Sequence, residues 1–249
     1  MNDEIIYEKF TEWLKTSWFG VPDSPYSMTA IQARYTPEDA EFLTGVPFRP
    51  TSVPALAEQK QVAETELGEK MDEMARKGLV WRTESEEGIS YHLNDLYFVI
   101  MRSSFWPGRT DETTVEVAKQ TNKYYYSGMY TDFNKMKAGG LRTVPIRATV
   151  EDGREIKPYE DVVNLLDGFE YFTVSDCPCR QRKKLDPDYK ESKKPSEVCL
   201  HFDELGHYIV ESGMGREITR EETEEILKKS AKAGLVHGVS NWEQQPDTI

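Results

Sequence analysis

The chain has 249 residues and carries 44 Asp and Glu against 31 Lys and Arg, a formal net charge of −13. Its 28 aromatic residues exclude a disordered chain, its three cysteines exclude a secreted disulfide scaffold, and its charge disfavours DNA binding. The longest apolar run, residues 96–101, is far too short to span a membrane, and the acidic N-terminus lacks the apolar stretch of a signal peptide. We therefore expect a cytoplasmic protein.

The first hundred residues predict an N-terminal arm followed by a compact helical unit. Apolar residues at helical spacing predict one helix over residues 5–14. Three further helices are predicted, starting at Thr36, at Ser52 and near residue 62, the last of them ending at Gly78. Two short strands on either side of a turn at residues 86–88 follow. Three helices followed by a hairpin are the pattern of a winged helix.

The rest of the chain predicts helices and one strand leading into the cysteines. We expect helices over residues 111–126 and 158–166, a buried strand over 169–174, and a helix from the capping box of Thr219 and Glu222 to Gly234. The predicted fold is α+β and predominantly helical. It divides into a winged-helix-like region with its arm at 1–100 and a helical, cysteine-containing domain at 101–249.

All three cysteines, Cys177, Cys179 and Cys199, lie within 23 residues of one another. In a reducing compartment such clustering favours metal ligation over a disulfide, and thiolates are ligands that zinc and iron–sulfur clusters select. The alternative is that the three are small buried apolar residues.

Four segments together resemble a known family. They are D-C-P-C-R at 176–180, P-S-E-V-C-L-H-F at 195–202, G-M-G-R-E-I-T-R-E-E at 213–222 and A-G-L-V-H-G-V-S-N at 233–241. This combination is similar to the ferredoxin-type 4Fe-4S iron–sulfur binding proteins of anaerobes, which have a winged-helix N-terminal region. The resemblance implies an iron–sulfur-type electron-transfer or accessory protein, with a 4Fe-4S cluster as cofactor and an oxidoreductase component as the only enzymatic role.

The chain departs from this family in two respects. Residues 181–195 contain no cysteine where the family commonly has one, and no ferredoxin motif occurs before Ile249. Either the chain is part of a longer protein or it is a short form. Its electron partner would then be a separate redox protein or its own missing ferredoxin domain.

A fourth metal ligand has to come from outside the three cysteines. His201, two residues after Cys199, is the first candidate, and His207 and His237 are others. Cys177, Cys179, Cys199 and His201 would suit zinc in a structural interaction module, or a cluster with one ligand that is not cysteine. Both readings remain open from the sequence.

The segment between the cysteines is basic. Seven bases and three acids give residues 180–194 a net charge of +4, which leaves −17 for the rest of the chain. We interpret the segment as a loop that docks an acidic redox partner. Arg180, which lies inside the motif, is expected to donate hydrogen bonds to a thiolate or a nearby carboxylate.

Other functions are weaker. The third helix of the winged-helix pattern has six acids and four bases over residues 58–77, so a DNA-binding regulator is disfavoured and a protein-interaction module preferred. Aromatic residues within 1–30 are typical of a docking arm or a homodimer interface. We find no nucleotide-binding or hydrolase motif, and no self-contained active site.

Overall fold

A computed structural model describes residues 2–130, 141–143, 162–190 and 192–240. The fold is mixed α+β, with more of the chain in helices than in strands. The helices are α1 (Asp3–Leu14), α2 (Ser27–Arg34), α3 (Pro37–Leu43), α4 (Val53–Lys60), α5 (Glu64–Arg76), α6 (Leu96–Phe98), α7 (Glu112–Tyr124), α8 (Val162–Leu165), α9 (Pro178–Leu185), α10 (Asp203–Glu211) and α11 (Arg220–Lys232). The strands are β1 (Thr51–Ser52), β2 (Val80–Ser85), β3 (Gly88–Leu93), β4 (Leu141–Thr143), β5 (Phe172–Asp176), β6 (Glu197–Phe202), β7 (Arg216–Ile218) and β8 (Gly238–Ser240).

Two helices continue into π-helical turns. Residues Val99–Ser103 extend α6, and residues Tyr125–Met129 extend α7. A π-helical turn inserts an extra residue into the helical repeat and is often found at functional sites. The first of these turns carries Arg102 towards the cysteines.

The first apolar core joins the N-terminal arm to the following helices and hairpin. Helix α1 buries Ile6, Phe10 and Leu14, which recur every four residues along one face. The Trp13 indole nitrogen donates to the Val46 carbonyl at 2.9 Å, which ties α1 to the end of α3. The sheet beside them has the strand order β1-β3-β2 and is antiparallel throughout.

The second three-stranded sheet carries Cys199. Its order is β6-β5-β7, again antiparallel, with Phe172 of β5 opposite Phe202 of β6. Alternate residues of β5 and β6 face an apolar cluster that α8 and α11 complete. The two-stranded pair β4–β8 is joined through its backbone, with Leu141 opposite Ser240.

Contacts cross the predicted boundary at residue 100. Tyr208 of α10 stacks on Trp81 of β2, with ring centroids 4.2 Å apart. The Tyr208 hydroxyl donates to the Val80 carbonyl at 2.9 Å and accepts from the Asn94 amide at 3.2 Å. The helix that follows the cysteine segment is therefore anchored on the hairpin. The division into domains at residue 100 remains a prediction.

Local signals located several elements correctly. The predicted helix at 5–14, the three that follow Thr36, the hairpin and the helix after Thr219 are all present. Thr36 accepts from the Asp39 backbone at 3.1 Å, and Thr219 accepts from the Glu222 backbone at 3.2 Å, as their capping signals indicate.

Other elements differ from the sequence predictions. The basic segment after Cys179 is not wholly a loop, since residues Pro178–Leu185 form α9. The cysteine-containing region holds a sheet as well as helices, with Cys199 on a strand. Helices α2 and α10 were not predicted. The start of the helix predicted over 158–166, and residue 241 of the family motif, lie outside the described residues.

Among the described residues, no helix has the length and apolar character that crossing a membrane requires.

We predict that Tyr208→Phe destabilises the protein by about 1–3 kcal/mol, because it leaves the buried Val80 carbonyl and Asn94 amide without their shared partner. Urea denaturation followed by circular dichroism would measure the free energy of unfolding. Tyr26→Phe, which removes an exposed hydroxyl, is the matched control and should change it little. Equal stability of the Tyr208 variant and the parent would contradict the proposed anchoring.

Candidate thiol–arginine site

Cys177 and Cys179 lie at the start of α9. Cys177 is the N-cap residue, with an extended backbone, and Pro178 occupies the first helical turn, where it needs no hydrogen-bond acceptor. The Cys177 backbone nitrogen donates to the Ser196 carbonyl at 2.8 Å, which ties this helix start to the chain entering β6. The C-P-C sequence therefore places two thiols in one helical turn next to the strand that carries the third.

Cys199 lies on the polar face of the second sheet. It pairs with Ser175 of β5, and His201 pairs with Thr173. Because side chains alternate along a strand, these four share one face while Leu200 faces the apolar cluster. Helix α10 covers the polar face closely, since a Cβ added at Gly206 would lie 2.9 Å from the Thr173 hydroxyl.

The three thiols differ in exposure and acidity. All are free; Cys179 is exposed, and Cys177 and Cys199 are half-buried. Hydrogen bonding from the Cys177 thiol lowers the pKa of Cys179, and the charges of nearby arginines act in the same direction. The same hydrogen bond and burial raise the pKa of Cys177. Cys179 is therefore the thiol that ionises first.

Burial raises the pKa of Cys199 to about 11. The charge of Arg102 opposes this rise. Cys199 accordingly stays a thiol at neutral pH unless a metal ion or another cation stabilises its thiolate.

Three arginines surround the thiols. Arg102 lies on the π-helical turn after α6, and Arg180 and Arg182 lie on α9. Helical segments therefore hold all three arginines in place. The Arg182 guanidinium is 4.6 Å from the centroid of the Tyr125 ring, and the Arg102 guanidinium is 5.9 Å from the centroid of the Tyr97 ring. Within the described part of the chain, none of the three arginines has a carboxylate within ion-pair distance.

Several buried N–H groups at this site have no acceptor. Arg182 is only 3% exposed, yet its Nε and Nη1 make no hydrogen bond with any described residue. The same holds for Nε of Arg180 and for the Trp106 indole nitrogen. A buried donor without an acceptor is costly, and buried charges are normally paired. The site is therefore suited to an anionic group that would accept these hydrogen bonds.

His201 is fully buried rather than open to a metal. Its Nε2 lies 2.9 Å from the Ser175 hydroxyl, and its ring packs edge-on to Trp106 with centroids 4.8 Å apart. Burial lowers the pKa of His201 well below its usual range, so the imidazole is neutral. A neutral imidazole is the form that binds metals, but this one is already engaged in the sheet interior.

The other candidate histidines lie elsewhere. His207 stacks on Tyr171, with ring centroids 3.7 Å apart, and the His237 Nε2 lies 3.2 Å from the Leu227 carbonyl oxygen. Among the described residues, no three His, Cys, Asp or Glu side chains already stand in metal-binding geometry. His201 as the fourth ligand remains a prediction.

Sequence reasoning did not single out Arg102, Trp106 or Arg182 as site residues. Arg182 was counted only within the basic segment. Arg102 and Trp106 are far from the cysteines in sequence and reach them through tertiary packing, for which no local pattern exists. Arg180, which was expected to interact with a thiolate, lies where its charge favours the thiolates of Cys177, Cys179 and Cys199.

Comparisons of this chain with protein-family models, with curated proteins and with solved structures find no match.

We predict that Cys179 is the first cysteine to react with iodoacetamide in the metal-free, reduced protein. Its lowered pKa means that the rate should level off at a lower pH than the value near 8.5 expected of an ordinary thiol. Cys177→Ala removes the hydrogen-bond donor and should move that midpoint upward. Mass spectrometry of peptides after timed labelling would measure each rate.

The urea-unfolded chain provides the control, in which the three cysteines should react alike. Equal labelling in the folded protein, or a Cys179 midpoint no lower than that of the unfolded chain, would contradict the proposed electrostatics.

Proposed function

We propose that this chain is a cytoplasmic iron–sulfur-type electron-transfer or accessory protein of anaerobic metabolism, with Cys177, Cys179 and Cys199 as ligands. The observation that carries the proposal is the set of buried N–H donors without acceptors around the three thiols. The resemblance of the cysteine segments to ferredoxin-type 4Fe-4S proteins points in the same direction.

The donor set matches the chemistry of a thiolate-bound cluster. Thiolates are the usual ligands, and hydrogen bonds to cluster sulfurs help to set the reduction potential. Such a cluster, when bound, accepts and returns single electrons. Arg102, Arg180 and Arg182 would balance the negative charge of the thiolates, while Arg182 and Trp106 would donate the N–H groups that now lack acceptors.

Binding would require local rearrangement of the cysteines. In the described chain the Cys177 thiol hydrogen-bonds to Cys179, whereas as ligands both would be thiolates facing the same group. The three thiols supply three ligands, and the fourth ligand is not assigned. His201 is the candidate nearest in sequence. If its imidazole turned away from Ser175 to bind a metal, the buried Ser175 hydroxyl would lose this hydrogen-bond partner.

A zinc-stabilised interaction module is the second candidate. The absence of a fourth cysteine between residues 181 and 195 favours it, because zinc accepts three cysteines and one histidine. The engagement of His201 with Ser175 and the arginines without carboxylate partners favour the cluster instead. Metal analysis separates the two.

The partner proposed for this site is acidic. Exposed lysines follow Cys179 along and beyond α9, in a chain that is otherwise strongly negative: Lys183, Lys184, Lys190, Lys193 and Lys194. Complementary charge speeds the encounter of redox proteins and orients them. An acidic ferredoxin-like protein, or a ferredoxin domain of the same protein, would meet the exposed Cys179 on this surface.

We further propose that α3, α4 and α5 with the β2–β3 hairpin form a winged-helix-like module that contacts protein rather than DNA. Helix α5 has acids in its first turn, and Glu84 lies near the hairpin tip. Phosphate groups would be repelled by both.

We predict that protein purified without oxygen, or reconstituted with iron and sulfide, contains both elements and absorbs broadly near ~400 nm. Cys179→Ser and Cys199→Ser should each lose most of the iron, the sulfide and this absorption, since each removes one of three thiolate ligands. Lys183→Gln, on the same helix as Cys179 with an exposed side chain, is the matched control and should retain them.

Two results would oppose the cluster. A Cys179→Ser protein with the metal content and absorption of the parent would remove Cys179 from the ligand set. One zinc per colourless chain, with a melting temperature that falls on chelation, would establish the zinc module instead.

A further inference from the structure

A second basic site lies on the other side of the Arg102 turn. It is a cavity of about 360 Å³ between the end of α2, the end of α5 and the start of α7. Arg34, Arg76 and Arg109 line it, together with Asp111 and Thr113. None of these residues belongs to the thiol–arginine site.

The arginines of this cavity lack a direct ion-pair partner. Within the described residues, Arg34, Arg76 and Arg109 have no carboxylate within ion-pair distance. Lys77 also lines the cavity, but its ammonium group lies 3.0 Å from Asp39 and 2.8 Å from Glu73. In a chain of net charge −13, three guanidinium groups without a carboxylate partner around one cavity are unexpected.

The one acid in the lining is already engaged. Asp111 is the N-cap of α7, and its carboxylate accepts from the backbone nitrogen and the hydroxyl of Thr114, each at 2.9 Å. Hydrogen bonds from Thr114, and to a smaller extent the charge of Arg109, lower the pKa of Asp111, so its carboxylate acts mainly at the helix start. The first backbone N–H groups of α7 stay without intrahelical acceptors, as at any helix start.

Arg34 is held rigidly in this wall. Its Nε donates to the Ser104 hydroxyl at 2.8 Å, and its Nη2 donates to the Lys77 carbonyl. Burial lowers the pKa of Arg34; the charge of Asp39 opposes this fall, and the charge of Arg109 adds a smaller lowering. Two guanidinium groups that repel each other in a partly desolvated cavity are stabilised when an anion lies between them.

We propose that this cavity binds the phosphate group of a small phosphorylated molecule, held by Arg34, Arg76 and Arg109 at the start of α7. Guanidinium groups bind phosphate oxygens in pairs of parallel hydrogen bonds, and a helix N-terminus adds favourable N–H dipoles. The cavity volume leaves room for more than the phosphate, and Val117 and Met214 supply apolar wall for the remainder of the ligand.

Isothermal titration calorimetry with inorganic pyrophosphate on the full, reduced chain tests this proposal. We expect saturable binding that weakens with added salt, and at least tenfold weaker binding in Arg109→Gln and in Arg76→Gln. Both side chains are exposed, so these variants should fold, which circular dichroism would verify. Arg49→Gln, an exposed arginine in the loop before β1, should bind as the parent does.

Arg182→Gln separates this cavity from the thiol–arginine site and should leave the affinity unchanged. Loss of binding in Arg182→Gln but not in Arg109→Gln would overturn the proposal, because the anion would then bind beside the cysteines. Absence of heat at millimolar pyrophosphate would overturn it as well, and so would citrate binding as tightly as pyrophosphate.

Discussion

The register between β5 and β6 fixes where the cysteines lie. Leu200 and Phe202 point into the apolar cluster beneath the sheet, so Cys199 between Val198 and Leu200 must face the other way, opposite Ser175. A slip of one residue would bury Cys199 among apolar side chains and push Leu200 towards the polar face. Burial of a few apolar residues thus determines the face of the sheet on which the Cys199 thiol lies.

The same strand pair places the other two thiols. Strand β5 ends at Asp176 with an irregular register, and the chain turns there into α9. Cys177 remains bonded through its backbone to Ser196, at the entry to β6. The three cysteines therefore meet at one corner of the sheet, and the arginines of α9 come with them because they belong to the same short helix.

The arginines determine the electrostatics at this corner of the sheet. Buried guanidinium groups without acidic partners are unfavourable unless something negative stands near them. Thiolates, a thiolate-bound cluster or another anion would supply that charge, whereas neutral thiols do not. The hydrogen bond from Cys177 is the main cause of the lowered pKa of Cys179, and the charges of Arg182, Arg102 and Arg180 add to it. The proposed cluster would bring more negative charge and more acceptors to the same donors.

Sequence reasoning succeeded where the signal is local. Thr36, Thr219 and Gly78 mark helix ends because capping groups act within one turn, and the turn at residues 86–88 marks the hairpin. The cysteine cluster was also visible, since its members are close in sequence.

It failed where neighbours in space are distant along the chain. The sequence analysis treats residues 180–194 as a loop, whereas Pro178 begins a helix that runs to Leu185. Arg102 and Trp106 could not be linked to the cysteines by any spacing rule. His201 shares the face of Cys199, as a strand predicts, but the packing of Trp106 and of α10 shows that this face is covered.

The central claim is that Cys177, Cys179 and Cys199 hold an iron-containing anionic group against the unpartnered donors of Arg182 and Trp106. Anomalous diffraction at the iron absorption edge, from crystals grown without oxygen, tests it most directly. The account predicts an iron peak within bonding distance of all three sulfurs, with the Arg182 N–H groups turned towards it. A peak only at the zinc edge, or a corner without metal in which Cys177 and Cys179 form a disulfide, would contradict it.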